Sequence, residues 1–336
     1  MNRQIKSCRI SVIGAGSWGG TMAQHLAELG HDIIVWHRNE DELNLMEKEK
    51  RHPFLPQLRF SRTIIFTSTL SELLQRDVLV VAVPSHGVRD IMTQLGNINR
   101  DTVIVNLAKG IENETLMRMS EIIIEVGGCD PSNVVSLYGP SHAEEVMNKT
   151  PTAVVAAGVS NETLEYIQSI FSSEYFRIYA NEDIIGVELG GSVKNVIAIA
   201  AGVCNGIGYG DNTIAALITR GIVEITRLGE VLGAKRETFS GLSGIGDLIV
   251  TCLSQYSRNR SIGEKIGKGM KLKEILDEMH MVAEGVKTSK SVYELSKKLE
   301  VEMPICTAVY DVLFNDVNPE HAVKRLMTRE LIYEHD

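Results

Sequence analysis

Short apolar runs alternate with amphipathic stretches through the first half of the chain. Seven of the apolar runs, several of them continuous and rich in β-branched residues, predict strands at residues 8–14, 32–36, 63–67, 77–83, 102–108, 133–138 and 152–157. Continuous apolar runs are typical of strands buried on both faces, as in a parallel sheet covered by helices. The stretch TMAQHLAEL (21–29), which ends before Gly30, predicts a helix between the first two strands and completes a β-α-β unit.

The pattern changes near residue 180, where the strand-like runs stop and helical periodicity takes over. Helices are predicted at residues 183–204, 213–232, 284–299 and 307–314. We therefore expect an α/β fold of two domains, with residues 1–180 built around a mostly parallel sheet and residues 181–336 entirely helical. No Pro-rich or Ser-rich linker separates the two parts, so we expect them to pack tightly.

The composition narrows the classes of function. The 336 residues are enough for two domains, and 34 Lys and Arg against 43 Asp and Glu give a net charge of −9. With 5% aromatic residues and no basic run, we do not expect nucleic-acid binding. The acidic balance also argues against anionic membranes. It leaves room for a small anionic ligand held by a few local cations.

Membrane insertion and metal binding are not expected either. No apolar run approaches the ~18 residues that a membrane helix needs. The basic and then apolar start of the chain imitates a signal peptide, but Ser11 and the glycines interrupt the apolar run early. The five cysteines stand apart with no CxxC pair, which predicts reduced cysteines in a cytoplasmic protein and no metal site.

A glycine-rich turn, GAGSWG, follows the first predicted strand and opens the first predicted helix. It fits G-x-G-x-x-G: Gly14 permits the tight turn, Gly16 lets a pyrophosphate approach the backbone, and Gly19 allows close packing of helix on strand. The N-terminus of the helix then presents free N–H groups to the phosphates. A purely structural glycine turn is the alternative, but the flanking strands and helix favour dinucleotide binding.

The end of the second strand bears on the choice of cofactor. An NAD site usually carries an acidic residue there, which binds the ribose 2′-hydroxyl. Here the strand ends in His37 and Arg38, and Glu40 and Asp41 come slightly later. Because Arg38 can pair with a 2′-phosphate and His37 can assist, we expect NADP(H) to be preferred, with NAD(H) as the alternative cofactor. A solvated surface arginine is the other interpretation of Arg38.

Two further strand ends carry candidate ligand contacts, because ligands collect at the carboxyl ends of such sheets. Pro84 follows the strand at 77–83 and rigidifies a turn that can line the path of the ribose. Lys109 follows the strand at 102–108, where a cation can attract a phosphate or polarise a carbonyl group. An exposed loop lysine is the alternative for Lys109.

A third strand end carries Gly139 and Ser141. Ser141 can cap the helix that begins at Ala143, and a helix N-cap explains most of this segment. In the sharper interpretation, the backbone of Gly139 and the hydroxyl of Ser141 contact a ligand.

Lys194 stands in a helical run that is otherwise apolar and small. Burial destabilises the charged form of a lysine and tunes it towards acid–base chemistry, whereas snorkelling to the surface is the alternative. Asp247 follows a glycine-rich turn, GLSGIG. It either caps the next helix or binds a hydroxyl group and orients Lys194.

The segment SRNR, from Ser257 onwards, opens another predicted helix. The hydroxyl of Ser257, the guanidinium of Arg258, the amide of Asn259 and the free N–H groups make a good anion receptor. A solvated N-cap is the alternative. Val282 and Glu284 begin a later helix that can reach the cofactor, although this segment alone indicates little.

Six motifs in this order and spacing resemble one family. GAGSWG, NLAKGIE, YGPSHAEE, GGSVKN, GLSGIGDL and SRNR are similar to the bacterial NAD(P)-dependent glycerol-3-phosphate dehydrogenases, and the likeness runs from Ile10 to about Phe314. The resemblance implies reversible reduction of dihydroxyacetone phosphate to sn-glycerol 3-phosphate for phospholipid synthesis. It further implies a Rossmann-type, doubly wound N-terminal domain, a helical substrate-binding domain, a cytoplasmic location and a homodimer.

The resemblance also implies a role for each matching residue. Lys194 corresponds to the general acid/base, supported by Lys109 and Asp247. The implied substrate contacts are Lys109, Gly139, Ser141, Lys194, Asp247, Ser257, Arg258 and Asn259. The implied cofactor contacts, beside the three glycines of the turn, are Ser17, Trp18, His37, Arg38, Lys109, Ala143, Arg258, Val282 and Glu284.

Two segments depart from the family pattern. Residues 51–57 lack the usual Asn and glycine, and residues 253–256 are also atypical.

Two other functions are alternatives. A β-hydroxyacid dehydrogenase typically carries Asn four residues after its helical lysine, but here Ala198 holds that position and Asn195 is adjacent to the lysine instead. A non-catalytic nucleotide sensor would not need Lys109, Lys194, Asp247 and Arg258 together.

Overall fold

The strands form a single eight-stranded sheet in the described part of the chain, residues 7–96, 98–279, 283–331 and 333–334 of a computed structural model. They are β1 (Arg9–Ile13), β2 (Asp32–Trp36), β3 (Ile65–Thr67), β4 (Val78–Val81), β5 (Val103–Asn106), β6 (Val134–Tyr138), β7 (Thr152–Ala157) and β8 (Phe176–Asn181). Each of the seven predicted strands is present, with ends that differ by at most two residues.

The order of the sheet is β3-β2-β1-β4-β5-β6-β7-β8. Neighbours are parallel from β3 to β6, β7 runs antiparallel to β6, and β8 is parallel to β7. This confirms a mostly parallel, doubly wound sheet. Strand order reverses between β1 and β4, and ligands of such sheets bind at the carboxyl edge beside this reversal.

Strand β8 was missed by the sequence analysis. Its buried Phe176 and Ile178 alternate with exposed Arg177 and Tyr179, because it is an edge strand covered on one face only. The other strands were predicted from continuous apolar runs, and a six-residue alternating segment does not give that pattern.

Fourteen α-helices of five or more residues lie within the described ranges. Those of the first half are α1 (Ser17–Glu28), α2 (Glu40–Glu49), α3 (Val88–Leu95), α4 (Met119–Gly127), α5 (Ala143–Met147) and α6 (Asn161–Phe171). Those of the second half are α7 (Ile184–Ile207), α8 (Asp211–Val231), α9 (Asp247–Leu253), α10 (Arg258–Gly267), α11 (Leu272–Asp277), α12 (Glu284–Lys298), α13 (Pro304–Phe314) and α14 (Pro319–Met327). The four predicted helices correspond to α7, α8, α12 and α13.

Each half has its own main apolar core, and a smaller cluster joins the two where Tyr138, Val155 and Ala157 pack with Val187. Two clusters lie on the faces of the sheet, and a third fills the helical half around α7. The sheet ends at Asn181 and α7 begins at Ile184, while the domain boundary near residue 180 stays a prediction. None of the five cysteines, all of which lie in the described ranges, forms a disulfide, and Cys129 is the one that is not buried.

Helix α7 corrects the expectation that no apolar run is long enough for a membrane. Its 24 residues are sufficiently long and apolar to cross one by length and composition, but 83% of its most apolar window is buried inside the protein. Burial of that extent is typical of the central helix of a folded domain.

Asp183 is the N-cap of α7. Its side chain accepts a hydrogen bond of 2.9 Å from the Gly186 N–H.

Candidate active site

The glycine-rich turn has the geometry that a pyrophosphate requires. Gly14 has a φ of +103°, and a Cβ there would lie 2.8 Å from the Ala82 carbonyl oxygen. A Cβ on Gly19 would lie 2.0 Å from the Gly14 carbonyl oxygen, so helix α1 packs closely on its strand. A Cβ on Gly16 would meet no atom within 4 Å, which leaves open space in front of the turn.

The start of α1 faces that open space. Gly16 is its N-cap and makes no side-chain capping hydrogen bond, and the start of a helix attracts anions through its N–H groups. Ser17 and Trp18 are the first two helical residues, and both are half-buried. The Trp18 ring lies 6.4 Å from that of Phe176. These residues fit the diphosphate of a nicotinamide dinucleotide.

A histidine that the sequence analysis missed supports the turn. Nε2 of His52 lies 2.9 Å from the carbonyl oxygen of Ala15, and burial lowers the pKa of His52, which favours a neutral ring. A neutral imidazole that donates to the carbonyl stiffens the backbone of the turn. His52 belongs to the atypical segment 51–57 and lies 37 residues from its partner, so the local pattern gave no signal for it.

The two residues after β2 differ in their surroundings. Nε2 of His37 lies 2.9 Å from a carboxylate oxygen of Glu42. Arg38 is exposed and makes no hydrogen bond or ion pair with the residues that the structure describes. The structure thus commits His37 to α2 and leaves the Arg38 guanidinium accessible to an anion.

Lys109, Lys194 and Asp247 meet at one point. Nζ of Lys109 donates to one carboxylate oxygen of Asp247 at 2.8 Å, and Nζ of Lys194 donates to the other. Lys194 also donates to the Thr251 hydroxyl at 2.8 Å, and Lys109 donates to the Gly139 carbonyl at 3.1 Å. The fold brings together residues from the end of β5, from the middle of α7 and from the start of α9.

The surroundings of Lys194 tune its charge. The residue is 6% exposed, so it does not snorkel to the surface. Burial lowers the pKa of Lys194 to about 8; Asp247 opposes this shift, and Lys109 adds to it. A lysine with this pKa can donate or accept a proton near neutral pH.

Asp247 does not cap its helix. Gly246 holds the N-cap position of α9, and Asp247 is the first helical residue, with its carboxylate turned to the two lysines. Thr251 lies one helical turn later and was missed, although its spacing of four residues from Asp247 placed it on the same face.

The capping interpretation of Ser141 is wrong. His142 is the N-cap of α5, and the Ser141 hydroxyl instead donates to the Gly139 carbonyl oxygen at 3.0 Å. An N-cap residue stands directly before the first helical residue, which is Ala143, and Ser141 is one position too early. Gly139 has a φ of +147°, and its carbonyl oxygen accepts from both Lys109 and Ser141.

The start of α10 carries the residues of the predicted anion receptor. Ser257 is its N-cap, and its hydroxyl oxygen accepts from the Arg260 N–H at 3.2 Å. The exposed Arg258 follows, beside a cavity of about 180 Å³ that is also lined by Ser257, Ser261 and Lys265. The guanidinium and the N–H groups at the start of a helix are suited to a phosphate.

Asn259 connects three helices. Its side-chain amide donates to the Asn195 side-chain oxygen at 3.0 Å, and its own side-chain oxygen accepts from the Gly285 N–H at 3.0 Å. Asn259 thereby joins α10 to α7 and α12, directly beside Lys194. The structure places it within the helical framework of the site.

Glu284 reaches back to the sheet. Its carboxylate accepts from the Ser85 N–H at 3.0 Å and from the Ser85 hydroxyl, and burial raises the pKa of Glu284. A Cβ on Gly110 would lie 2.5 Å from the Ser85 hydroxyl oxygen, so only glycine fits there. Ser85 was missed, although it follows β4 at the carboxyl edge. Val282 lies outside the described residues.

Comparisons with known proteins agree with this geometry. The two family models of NAD-dependent glycerol-3-phosphate dehydrogenase, N-terminus and C-terminus, match residues 9–164 and 183–324. The chain is 48% identical over 333 residues to glycerol-3-phosphate dehydrogenase [NAD(P)+] 2 of Salinibacter ruber, which covers 98% of this chain and 97% of the relative.

A second relative and a solved structure give the same result. Glycerol-3-phosphate dehydrogenase [NAD(P)+] of Pelodictyon phaeoclathratiforme is 50% identical over 333 residues, which are 97% of this chain and 99% of the relative. The crystal structure of glycerol-3-phosphate dehydrogenase from Coxiella burnetii superposes with a TM-score of 0.91 at 35% identity, over 96% of this chain and 99% of that chain. The chain therefore belongs to the NAD-dependent glycerol-3-phosphate dehydrogenase family.

Proposed function

We propose that this protein catalyses the reversible NAD(P)H-dependent reduction of dihydroxyacetone phosphate to sn-glycerol 3-phosphate. The observation that carries the proposal is the buried Lys194, which shares the Asp247 carboxylate with Lys109 at the carboxyl edge of a dinucleotide-type sheet. A nucleotide sensor has no use for a buried lysine with a lowered pKa. Membership of the family supports this dehydrogenase over the β-hydroxyacid type.

Lys194 acts as the general acid/base. NAD(P)H, when bound, supplies the hydride that adds to the ketone carbon, and the ketone oxygen gains negative charge. The ammonium form of Lys194 donates its proton to that oxygen, which gives the alcohol. In the oxidation direction, the neutral amine of Lys194 takes the proton from the alcohol.

Lys109 and Asp247 assist this step. The Lys109 ammonium stabilises the negative charge that develops on the oxygen. The Asp247 carboxylate holds both ammonium groups by direct hydrogen bonds and keeps them from drifting apart. These roles follow from their shared contacts.

The substrate phosphate binds at the start of α10. Ser257, Arg258 and Asn259 form or support this phosphate receptor. Gly139 and Ser141, which follow β6, are further substrate contacts. The remote phosphate fixes the orientation of the reacting carbon, so part of the binding energy accelerates the chemical step.

The turn of GAGSWG would hold the cofactor. Gly14, Gly16, Gly19 and the first turn of α1 would bind its diphosphate, and the exposed Arg38 would bind a 2′-phosphate, which would make NADP(H) the preferred cofactor over NAD(H). The remaining proposed contacts are Ser17, Trp18, His37, Lys109, Ala143, Arg258, Val282 and Glu284. A KM for NADH clearly below that for NADPH would contradict the preference.

We also propose the setting in which this reaction takes place. The division into a dinucleotide-binding domain (1–180) and a substrate domain (181–336) is supported by the separate apolar cores. A homodimer in the cytoplasm that supplies glycerophospholipid synthesis follows from the family resemblance. Sedimentation equilibrium of the purified chain tests the dimer.

One assay tests the proposed activity. Oxidation of NADPH is followed at 340 nm with dihydroxyacetone phosphate, with β-keto acid substrates and with no substrate. We expect turnover with dihydroxyacetone phosphate alone. Equal turnover with a keto acid would favour the β-hydroxyacid dehydrogenase, and NADPH binding without turnover would favour the sensor.

A further inference from the structure

Tyr138 lies near the Lys109 ammonium and against the helix that carries Lys194. It is the last residue of β6 and its side chain is fully buried. Nζ of Lys109 lies 5.4 Å from the centre of its ring. A Cβ on Gly191 would lie 2.5 Å from a carbon of the same ring, so α7 packs directly on it, three residues before Lys194.

The Tyr138 hydroxyl holds the turn that carries Lys109. It donates to the carbonyl oxygen of Ala108 and accepts from the side-chain amide of Asn106 at 2.9 Å. The side-chain oxygen of Asn106 in turn accepts from the Ala108 N–H at 3.0 Å. The N–H and the carbonyl oxygen of Ala108, the residue before Lys109, are therefore both fixed by buried partners.

A buried carboxylate anchors this arrangement to α7. Glu188 is 1% exposed and accepts from the Ser136 hydroxyl at 2.8 Å, from the Ser120 hydroxyl at 2.6 Å and from the Arg118 guanidinium at 2.7 Å. The Asn106 amide also reaches Glu188, at 3.3 Å. One hydrogen-bonded cluster thus fastens both the Lys109 turn and the Lys194 helix to the carboxyl edge of the sheet.

We propose that Tyr138 is a positioning residue that sets the separation of the Lys109 and Lys194 ammonium groups across the Asp247 carboxylate. Its ring spaces the Lys109 side chain from α7 and attracts the ammonium, while its hydroxyl fixes the backbone from which Lys109 extends. The inference rests on the proposed function, because it concerns the same two lysines. A catalytic group misplaced by about 1 Å can lose a hundredfold in rate.

The pair Tyr138→Phe and Tyr166→Phe tests this role. Tyr138→Phe keeps the ring and removes the hydroxyl that holds Ala108. Tyr166→Phe is the matched control, because its hydroxyl donates to the Cys8 sulfur at 3.3 Å, beside β1 and away from both lysines. For Tyr138→Phe we expect kcat to fall about tenfold to a hundredfold, with a smaller change in the KM for NADPH. The control keeps wild-type kcat.

The pH profile separates positioning from simple loss of stability. Because Lys109 lowers the pKa of Lys194, a displaced Lys109 lets that pKa rise. The alkaline limb of kcat/KM for reduction therefore moves to higher pH in Tyr138→Phe and stays in place in Tyr166→Phe. Asn106→Ser, which loosens the same turn, is expected to move the limb in the same direction.

Two outcomes distinguish failure of this inference from failure of the proposed function. A wild-type chain that does not oxidise NADPH with dihydroxyacetone phosphate contradicts the function itself. An active wild type together with a Tyr138→Phe profile that superposes on that of Tyr166→Phe overturns the positioning role alone. Thermal unfolding and NADPH fluorescence show in each case that the variants are folded and bind cofactor.

Discussion

Lys194 is a charged side chain that the fold keeps away from water. A buried ammonium is stable only when it is paired and hydrogen-bonded, and here Asp247 and Thr251 supply those partners. Desolvation still costs free energy, and it lowers the pKa of Lys194 to about 8. The same burial that destabilises the charge thus makes Lys194 an effective acid and base.

Replacing Lys194 by alanine removes the proton donor without changing the phosphate receptor. We expect Lys194→Ala to lower kcat for dihydroxyacetone phosphate by about 10²- to 10⁴-fold, with a smaller change in KM. Steady-state kinetics at 340 nm measures both constants. Lys290→Ala is the control, because the Lys290 side chain is exposed on α12, and we expect it to keep wild-type turnover. Near-normal kcat in Lys194→Ala would refute the acid/base role.

The pH dependence of the two directions has opposite signs. Reduction needs the ammonium form of Lys194, so kcat/KM for dihydroxyacetone phosphate falls as the pH rises through the pKa of about 8. Oxidation needs the neutral amine, so kcat/KM for glycerol 3-phosphate rises with pH up to the same value and then levels off. Initial rates in both directions between pH 6 and pH 10 measure this, and limbs of the same sign would exclude a single acid/base group.

Helices α7 and α10 approach each other through glycines on both sides. A Cβ on Gly202 would lie 2.0 Å from the Arg260 carbonyl oxygen, and one on Gly263 would lie 2.0 Å from the Ile199 carbonyl oxygen. Backbone therefore touches backbone, with no room for side chains. This contact holds the start of α10, with its proposed anion receptor, against the helix that carries Lys194.

A methyl group at this contact is expected to destabilise the protein. Gly263→Ala should lower the free energy of unfolding by about 1–3 kcal/mol or more, because backbone atoms cannot yield to the added carbon. Gly87→Ala is the matched control, since a Cβ there meets no atom within 4 Å and its φ is −100°. Urea denaturation measures both variants, and equal midpoints would contradict the close contact.

The whole molecule combines an acidic surface with a site that gathers cations. The net charge is −9, yet Arg38, Lys109, Lys194 and Arg258 are proposed to surround a phosphorylated cofactor and a phosphorylated triose. At 0.1 M salt, charges more than about 10 Å from the ligand are largely screened and contribute little to its binding. Cations within the site act on the ligand directly. We therefore expect the local cations, rather than the net charge, to decide the sign of the charge on the ligand.

Ionic strength tests which charge the ligand experiences. If local cations dominate, the KM for NADPH rises roughly threefold to tenfold between 0.05 M and 0.5 M NaCl, because screening weakens the attraction. If the net charge dominates, the KM falls, since screening then relieves repulsion. Arg38→Ala should flatten the slope for NADPH and leave that for NADH unchanged.

At each scale, sequence reasoning succeeded where the physical signal is local. The strands of the sheet were recognised because burial on both faces demands continuous apolar runs, and the glycine turn because its conformation demands glycine. Strand β8 and the cap of α5 were missed or misjudged, since an edge strand buries one face only and an N-cap depends on one residue of register.

The sequence by itself determined the α/β architecture, the glycine-rich turn and the residue types of the site, because periodicity and backbone conformation act between near neighbours. Tertiary structure alone decided that Asp247 joins two lysines, that Glu284 binds Ser85 and that Tyr138 lies between Lys109 and α7. The partners in these hydrogen bonds are 53 to 199 residues apart along the chain. Only packing brings such groups within hydrogen-bonding distance and removes the water that would otherwise hold the Lys194 pKa at its ordinary value.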